Sequence, residues 1–423
     1  TTIDAREVCL LMEKLYTFDR SYEAFEKAQK FIPGGIFGSK TPYFVTYGSY
    51  PVYVTKGKGS HVWDVDGNEY IDYMCSYGAN IIGMCNDEVD AAVAEQLKKG
   101  NTFTPPSEIV NVLAERMVKL VDGMDWIVFG KNGADITTFA TTVARLQTGR
   151  TVILKAEGAY HGAHFWSVHS TTGIPAEYKA HVAEFRYNDA EDLRRVAAEN
   201  SGKIAAIILC PYKHDHLHDQ EFPTEEFKRA VEEVRLQEKA FYIQDDIRCG
   251  FRLHPNGSHC YFGVKPDLTC MGKAMSNGYA ISALLGKREL MDAARAAYFS
   301  GTFFYEAIPM AASLATLDIL ERDRVVDYVL EIGTMLENGL CEQAKEFGIE
   351  ISYTGHPSMP FFRFKGDADS STARYFCGEA AKRGVYFHPH HNVFVCAAHT
   401  KEDIEKTLEV TRRCFALVAQ SRG

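Results

Sequence analysis

"IAAIILCPYKHDHLHDQEFPTEEFKRAVEEVRLQEKAFYIQDD", residues 204–246, carries the pattern that decides the fold. Two short runs, IAAIILC (204–210), apolar throughout, and AFYIQDD (240–246), apolar over its first four positions, flank TEEFKRAVEEVRLQEK (224–239), whose apolar positions recur at helical spacing. A strand that is apolar at every position is buried on both faces, and an intervening helix long enough to cross over predicts a parallel βαβ unit. The same alternation begins at DWIVFG (125–130) and continues through TVILKA (151–156) and ALLGK (283–287). The centre of the chain is therefore expected to be an α/β domain with a mostly parallel sheet covered by helices on both faces.

Outward from this centre the pattern changes. HVWDVDGNEYIDYMCSYG (61–78) places a DG turn between two alternating runs, the signal of an antiparallel hairpin. TTIDAREVCLLMEKLYTFDRSYEAFEKAQK (1–30) reads as amphipathic helix and lacks the basic start and apolar centre of a signal peptide. Beyond about residue 311 long helical patterns dominate, the last of them opened by Thr400 as cap and carrying Ile404, Leu408 and Cys414 on one face. These readings predict an N-terminal helix-and-hairpin segment (1–75) joining a smaller α+β domain (312–423), with a large domain (76–311) between them.

The 423 residues and 46% apolar content are enough for a large core plus a satellite. A net charge of −10 and no basic stripe speak against nucleic-acid or anionic-membrane partners, and no apolar run is long enough to span a bilayer. Eleven scattered cysteines, odd in number and without a CxxC pair, argue against a disulfide framework or zinc ribbon and predict a reducing, cytoplasmic setting.

Four stretches hold candidate chemistry. MGKAMSNGYA (271–280) sets Lys273 among small residues. Asp245 and Asp246 stand where a strand ends, the place where α/β proteins bind ligands. FGKNGADITTFATTVARL (129–146) is a strand, a turn containing Gly133 and a helix with Asp135 in its first turn, an arrangement whose free N–H groups suit a phosphate. EGAYHGAHFW (157–166) places Tyr160 after a strand, where it could stack on a flat ring or pack in the core. The histidine-rich stretches KHDHLHD (213–219) and HPHH (388–391) raise a metal site, but their spacing shows no convergent geometry, and no metal is expected.

The order of these parts, with IPGG (32–35), WDVDGNEYIDY (63–73), KNGAD (131–135), AYHG (159–162), DDIRCGFR (245–252), PDLTCMGKAMSNGY (266–279) and RGVYFHPHHNVFVCAAHTKEDIEKTL (383–408), resembles class III, fold type I, pyridoxal-phosphate aminotransferases, and among them the glutamate-1-semialdehyde 2,1-aminomutase branch. The resemblance implies a fold type I enzyme with a seven-stranded type of sheet and pyridoxal 5'-phosphate as cofactor. It implies that Lys273 forms the Schiff base, Asp245 pairs with the pyridine nitrogen, Gly133 and Ala134 donate to the phosphate, and Tyr160 stacks on the ring with His161 behind it. It further implies a homodimer in which Thr302 of the partner also binds the phosphate.

Two departures bear on the substrate. Cys210 stands where the family has a carboxylate, and Lys40 is the cation after the PGG turn where the aminomutases carry arginine. A lysine reads a carboxylate without a bidentate fork, so a polar substrate with a differently placed carboxylate, or none, is expected. Lys40, Tyr77, His214 and His391 are the substrate candidates. The expected reaction is transfer of an amino group from an amine or amino acid to a carbonyl acceptor. The alternatives are aminomutase, racemase or epimerase and, from another class, metal-dependent hydrolase.

Overall fold

The computed structural model describes residues 15–215 and 217–422. Residues 1–14 of the expected N-terminal helix lie outside this range; within it, Asp19–Ala28 is helical. A hairpin-based sheet comes first, from β1 (Val54–Lys58), β2 (His61–Asp64) and β3 (Glu69–Asp72). The turn after β2 is held by the Asp64 carboxylate, which accepts the backbone N–H groups of Asp66 and Asn68, and Gly67 supplies the left-handed φ of +89°.

The central sheet contains β4 (Trp126–Gly130), β5 (Val152–Ala156), β6 (Val182–Phe185), β7 (Ile204–Leu209), β8 (Phe241–Asp245), β9 (Leu268–Met271) and β10 (Ser282–Gly286), in the order β4-β10-β9-β8-β7-β5-β6. The β7–helix–β8 unit is parallel, as the opening stretch predicts, and every residue of β5 and β7 is buried. One strand breaks the parallel run: β10 is antiparallel to both β4 and β9. Only residues 272–281 connect β9 to β10, with one 3-10 turn and no α-helix, too little chain for a crossover. The edge strand β6 escapes the apolar-run reading because three of its four residues are exposed or half-exposed.

The C-terminal part contains the antiparallel pair β11 (Ile351–Thr354) and β12 (Phe361–Phe364) and the short β13 (Val385–Tyr386), which joins β3 in parallel. Helices Ala307–Arg322, Val325–Glu346, Ser371–Ala381 and Lys401–Arg422 pack around them. Thr400 and Asp403 cap the last helix reciprocally, Thr400 N–H to the Asp403 carboxylate and Asp403 N–H to the Thr400 hydroxyl. Among the described residues no helix is long and apolar enough to cross a membrane.

Arg252, fully buried just beyond β8, ties these layers together. Its guanidinium donates to the carbonyls of Gly78 (2.8 Å), Val395 (2.9 Å) and Ser358 (3.4 Å) and stacks over Phe394. One cation thus satisfies three buried carbonyls from stretches far apart in the chain, around residues 78, 358 and 395.

Candidate active site

The carboxyl ends of β5, β8 and β9 and the turn after β4 converge on a cavity of about 400 Å³. Its lining includes Gly133, Ala134, Tyr160, His161, Cys210, His214, Asp245, Arg248 and Lys273. Parallel strands place their ends, and the loops that follow, on one side of a sheet, which is why residues 84 and 112 positions from His161 meet it here.

The helix Gly133–Thr148 starts at this cavity. Asp135 turns back to accept the N–H of Asn132 (2.8 Å), while among the described residues the N–H groups of Gly133 and Ala134 have no acceptor. The approach is tight because glycine occupies two positions. A Cβ on Gly133 would meet Ile247 at 3.1 Å, and one on Gly162, at φ +109°, would lie 2.5 Å from the Ala134 Cβ. Two free N–H groups at a helix start, in a cradle whose side chains go no further than the Ala134 methyl, suit an anion.

Asp245, the last residue of β8, is buried and shares a 2.7 Å hydrogen bond with His161 Nδ1, while its other oxygen accepts Ile247 N–H at 3.2 Å. His161 is held by its own backbone, which accepts from Thr137 Oγ1 at 2.6 Å and donates to Ser167 at 3.0 Å, and its ring lies parallel to Trp166. Lys273 follows β9 by two residues and adopts a left-handed φ of +44°. Such a backbone costs a non-glycine residue about 1 kcal/mol or more and persists where the surrounding structure over-determines it. Burial first, and the Arg248 guanidinium second, push its amine down to about 7 against the opposing pull of Asp245.

Tyr160 is half exposed beside the cavity, close to His169. Burial, reinforced by the charge of Asp245, pushes the Cys210 thiol well up, so this position presents a neutral group. His214 is buried, and burial and Arg248 push its imidazole well down, leaving it neutral. His391 packs edge-to-face on Tyr77, outside this cavity. Lys40 and Tyr77 line a second cavity of about 400 Å³, together with Asp72, Tyr386 and His388, and neither borders the cavity of Lys273. Thr302 is exposed on a stretch with Phe303 and Tyr305 and lies outside the cavity of its own chain. Asp246 points away from the site, its carboxylate accepting Ser258 N–H at 2.9 Å, and burial raises it to about 6. His216, part of the KHDHLHD stretch, lies outside the described residues.

Arg248 was not among the residues that sequence reasoning selects. It sits inside the DDIRCGFR motif but looks there like an ordinary turn arginine, and nothing in the local sequence places it beside His214 and Asn392.

The family model for class-III aminotransferases matches residues 43–415. The chain belongs to the class-III aminotransferases. It is 40% identical to the aminopentol aminotransferase of Sphingopyxis macrogoltabida, over 94% of each chain. It is 38% identical to the 3-aminobutyryl-CoA aminotransferase of Cloacimonas acidaminovorans, covering 94% of this chain and 97% of that one. Glutamate-1-semialdehyde 2,1-aminomutase of Desulforamulus reducens is 32% identical over 96% of this chain and 99% of its own. Among solved structures, the FumI protein of Sphingopyxis sp. MTA144, in its PLP internal aldimine form, superposes with a TM-score of 0.93 at 39% identity, covering 95% of this chain and 97% of that one. This class-III aminotransferase is therefore a pyridoxal-phosphate-dependent enzyme of fold type I that transfers amino groups, and the metal-dependent hydrolase reading falls.

Proposed function

We propose that this enzyme transfers an amino group between separate molecules, from an amine or amino acid to an aldehyde or ketone of a polar compound, and that Lys273 holds the cofactor and moves the proton at the reacting carbon. The observation that carries this reading is the amine of Lys273, pushed to about 7 in one cavity with the Asp245–His161 pair and the free N–H groups of Gly133 and Ala134. An amine at that level is substantially neutral near pH 7, the state that a nucleophile and proton acceptor needs.

The donor set fits pyridoxal phosphate. The helix start, opened by Gly133 and Gly162, takes the phosphate dianion; Asp245 offers a buried carboxylate to a ring N–H; Tyr160 offers an aromatic face. When bound, the cofactor supplies an electron sink in conjugation with the substrate nitrogen and stores the amino group between the two half-reactions. The protein's residues do the remainder. His161 fixes the carboxylate of Asp245, whose charge keeps the ring nitrogen protonated. Lys273 takes the proton from one carbon and returns it to another. Thr302, exposed and outside the lining of its own cavity, completes the phosphate site of a second subunit in a homodimer. The cytoplasm suits the scattered free cysteines.

Of the four substrate candidates, His214 is the one that borders the same cavity as Lys273. Lys40 and Tyr77, on the other cavity, leave the reacting centre without the cation an aminomutase would use after the PGG turn, which favours intermolecular transfer. The test has two arms. Borohydride reduction of the holoenzyme followed by peptide mass mapping should place the pyridoxyl group on Lys273. Incubation with glutamate 1-semialdehyde alone should then give little 5-aminolevulinate, while donor and acceptor pairs exchange nitrogen; rapid conversion without exchange would make the enzyme an aminomutase.

A further inference from the structure

We propose that Arg248 is the carboxylate reader of this active site, its free guanidinium edge binding the carboxylate of the amino acid or oxo acid in one half-reaction. The inference rests on the reading of Lys273 as the reacting lysine.

Arg248 follows β8 by three residues, is half-buried, and lines the cavity of Lys273. Among the described residues, all of its hydrogen bonds leave from one nitrogen. Nη1 donates to the His214 carbonyl (3.0 Å), to His214 Nδ1 (3.1 Å) and to Asn392 Oδ1 (3.2 Å). Among the described residues Nε and Nη2 have no partner, and no carboxylate forms an ion pair with this guanidinium. Nε–H and Nη2–H lie on one edge of the plane and form the fork that matches two carboxylate oxygens. A cation with one edge clamped and the other open is preorganised, because the ordering of a long side chain is already met before a ligand arrives.

The surroundings keep that edge open. Asp245 is committed to His161 and to Ile247 N–H. Asp135 gives one oxygen to the N–H groups of Lys131 and Asn132, and its other oxygen faces His164 at 3.8 Å. Cys210, where a carboxylate would compete for the guanidinium, is a thiol held neutral by burial. Asp215 lies near enough to feel the charge of Arg248 but borders a different cleft.

The test uses the pyridoxal-phosphate holoenzyme and two non-reacting probes, propionate and its neutral isostere propionamide, with binding read by isothermal calorimetry and by the cofactor absorbance. Propionate should bind saturably to the wild type and propionamide should not. Arg248→Met should weaken propionate at least tenfold, the scale expected for losing a charge-assisted fork. Arg248→Lys, which keeps the charge and loses the fork, should lie between the two and decides the matter if the methionine variant fails to fold. Absence of propionate binding to the wild type, or equal affinity in the variants, would overturn the assignment. So would a changed cofactor spectrum in Arg248→Met with propionate binding intact, since the guanidinium would then serve the cofactor. Borohydride labelling of Lys273 in the same preparations separates this failure from failure of the underlying reading.

Discussion

At the scale of single residues, the site turns on one amine and one carboxylate whose surroundings differ. The amine of Lys273 stands at about 7, against 10.5 for an ordinary lysine, because burial and Arg248 oppose its charge. Between those values the folded apo-protein binds fewer protons than the unfolded chain, so its stability should rise with pH from about 7 to 10.5. The chemical counterpart is easily read: reductive methylation of Lys273 in the apo-protein with formaldehyde and cyanoborohydride, followed by peptide mass, should rise with a midpoint near pH 7, far below that of surface lysines. A midpoint near 10 would remove the argument for a neutral base. For Asp245→Asn, cofactor should remain bound while kcat falls at least about a hundredfold, since loss of a tuned charge at a reacting centre costs several kcal/mol of barrier. Near-normal turnover with cofactor bound would show that this carboxylate does not govern the ring nitrogen.

At the scale of elements, backbone proximity sets the site more than side-chain chemistry does. The helix Gly133–Thr148 can approach the AYHG loop because residue 162 has no Cβ. Gly162→Ala should push the helix start away from the loop and weaken pyridoxal-phosphate binding at least tenfold by absorbance titration, with a smaller effect on Tm. Another close approach serves packing alone: in the helix Val325–Glu346, a Cβ on Gly333 would lie 2.0 Å from the Pro357 carbonyl. Gly333→Ala should therefore destabilise the fold by about 2 kcal/mol or more, as overpacking of a closed interface does, and denaturant titration reads it directly. The elements themselves were unevenly legible. β7 and β8 announce themselves as continuous apolar runs because both faces are covered, whereas β6, at the sheet edge, carries no such signal. The direction of β10 was hidden too, since apolar composition is the same for a parallel and an antiparallel strand, and only the short connection from β9 decides it.

At the scale of the whole molecule, segments remote in sequence are fastened around the cavity, and the proposed dimer would complete it. Thr302 offers a clean test of that assembly. If it acts across subunits, mixing a Lys273→Ala chain with a Thr302→Val chain should restore one intact site per heterodimer, and activity should reappear on subunit exchange; if it stays silent, Thr302 does not reach a partner's phosphate. What the sequence by itself determined was the mostly parallel α/β character of the central sheet, the helix start at Gly133 and the order Asp245 before Lys273, because apolar runs, turn glycines and motif order are local properties of the chain. The His161–Asp245 bond, the separation of Lys40 from the cavity of Lys273 and the open edge of Arg248 were decided by tertiary structure alone. Each depends on which strand ends and loops share one side of the sheet, and a side chain's charge, partners and freedom follow from neighbours far along the chain, as His214 and Asn392 lie 34 and 144 positions from the Arg248 they hold, rather than from the residues beside it.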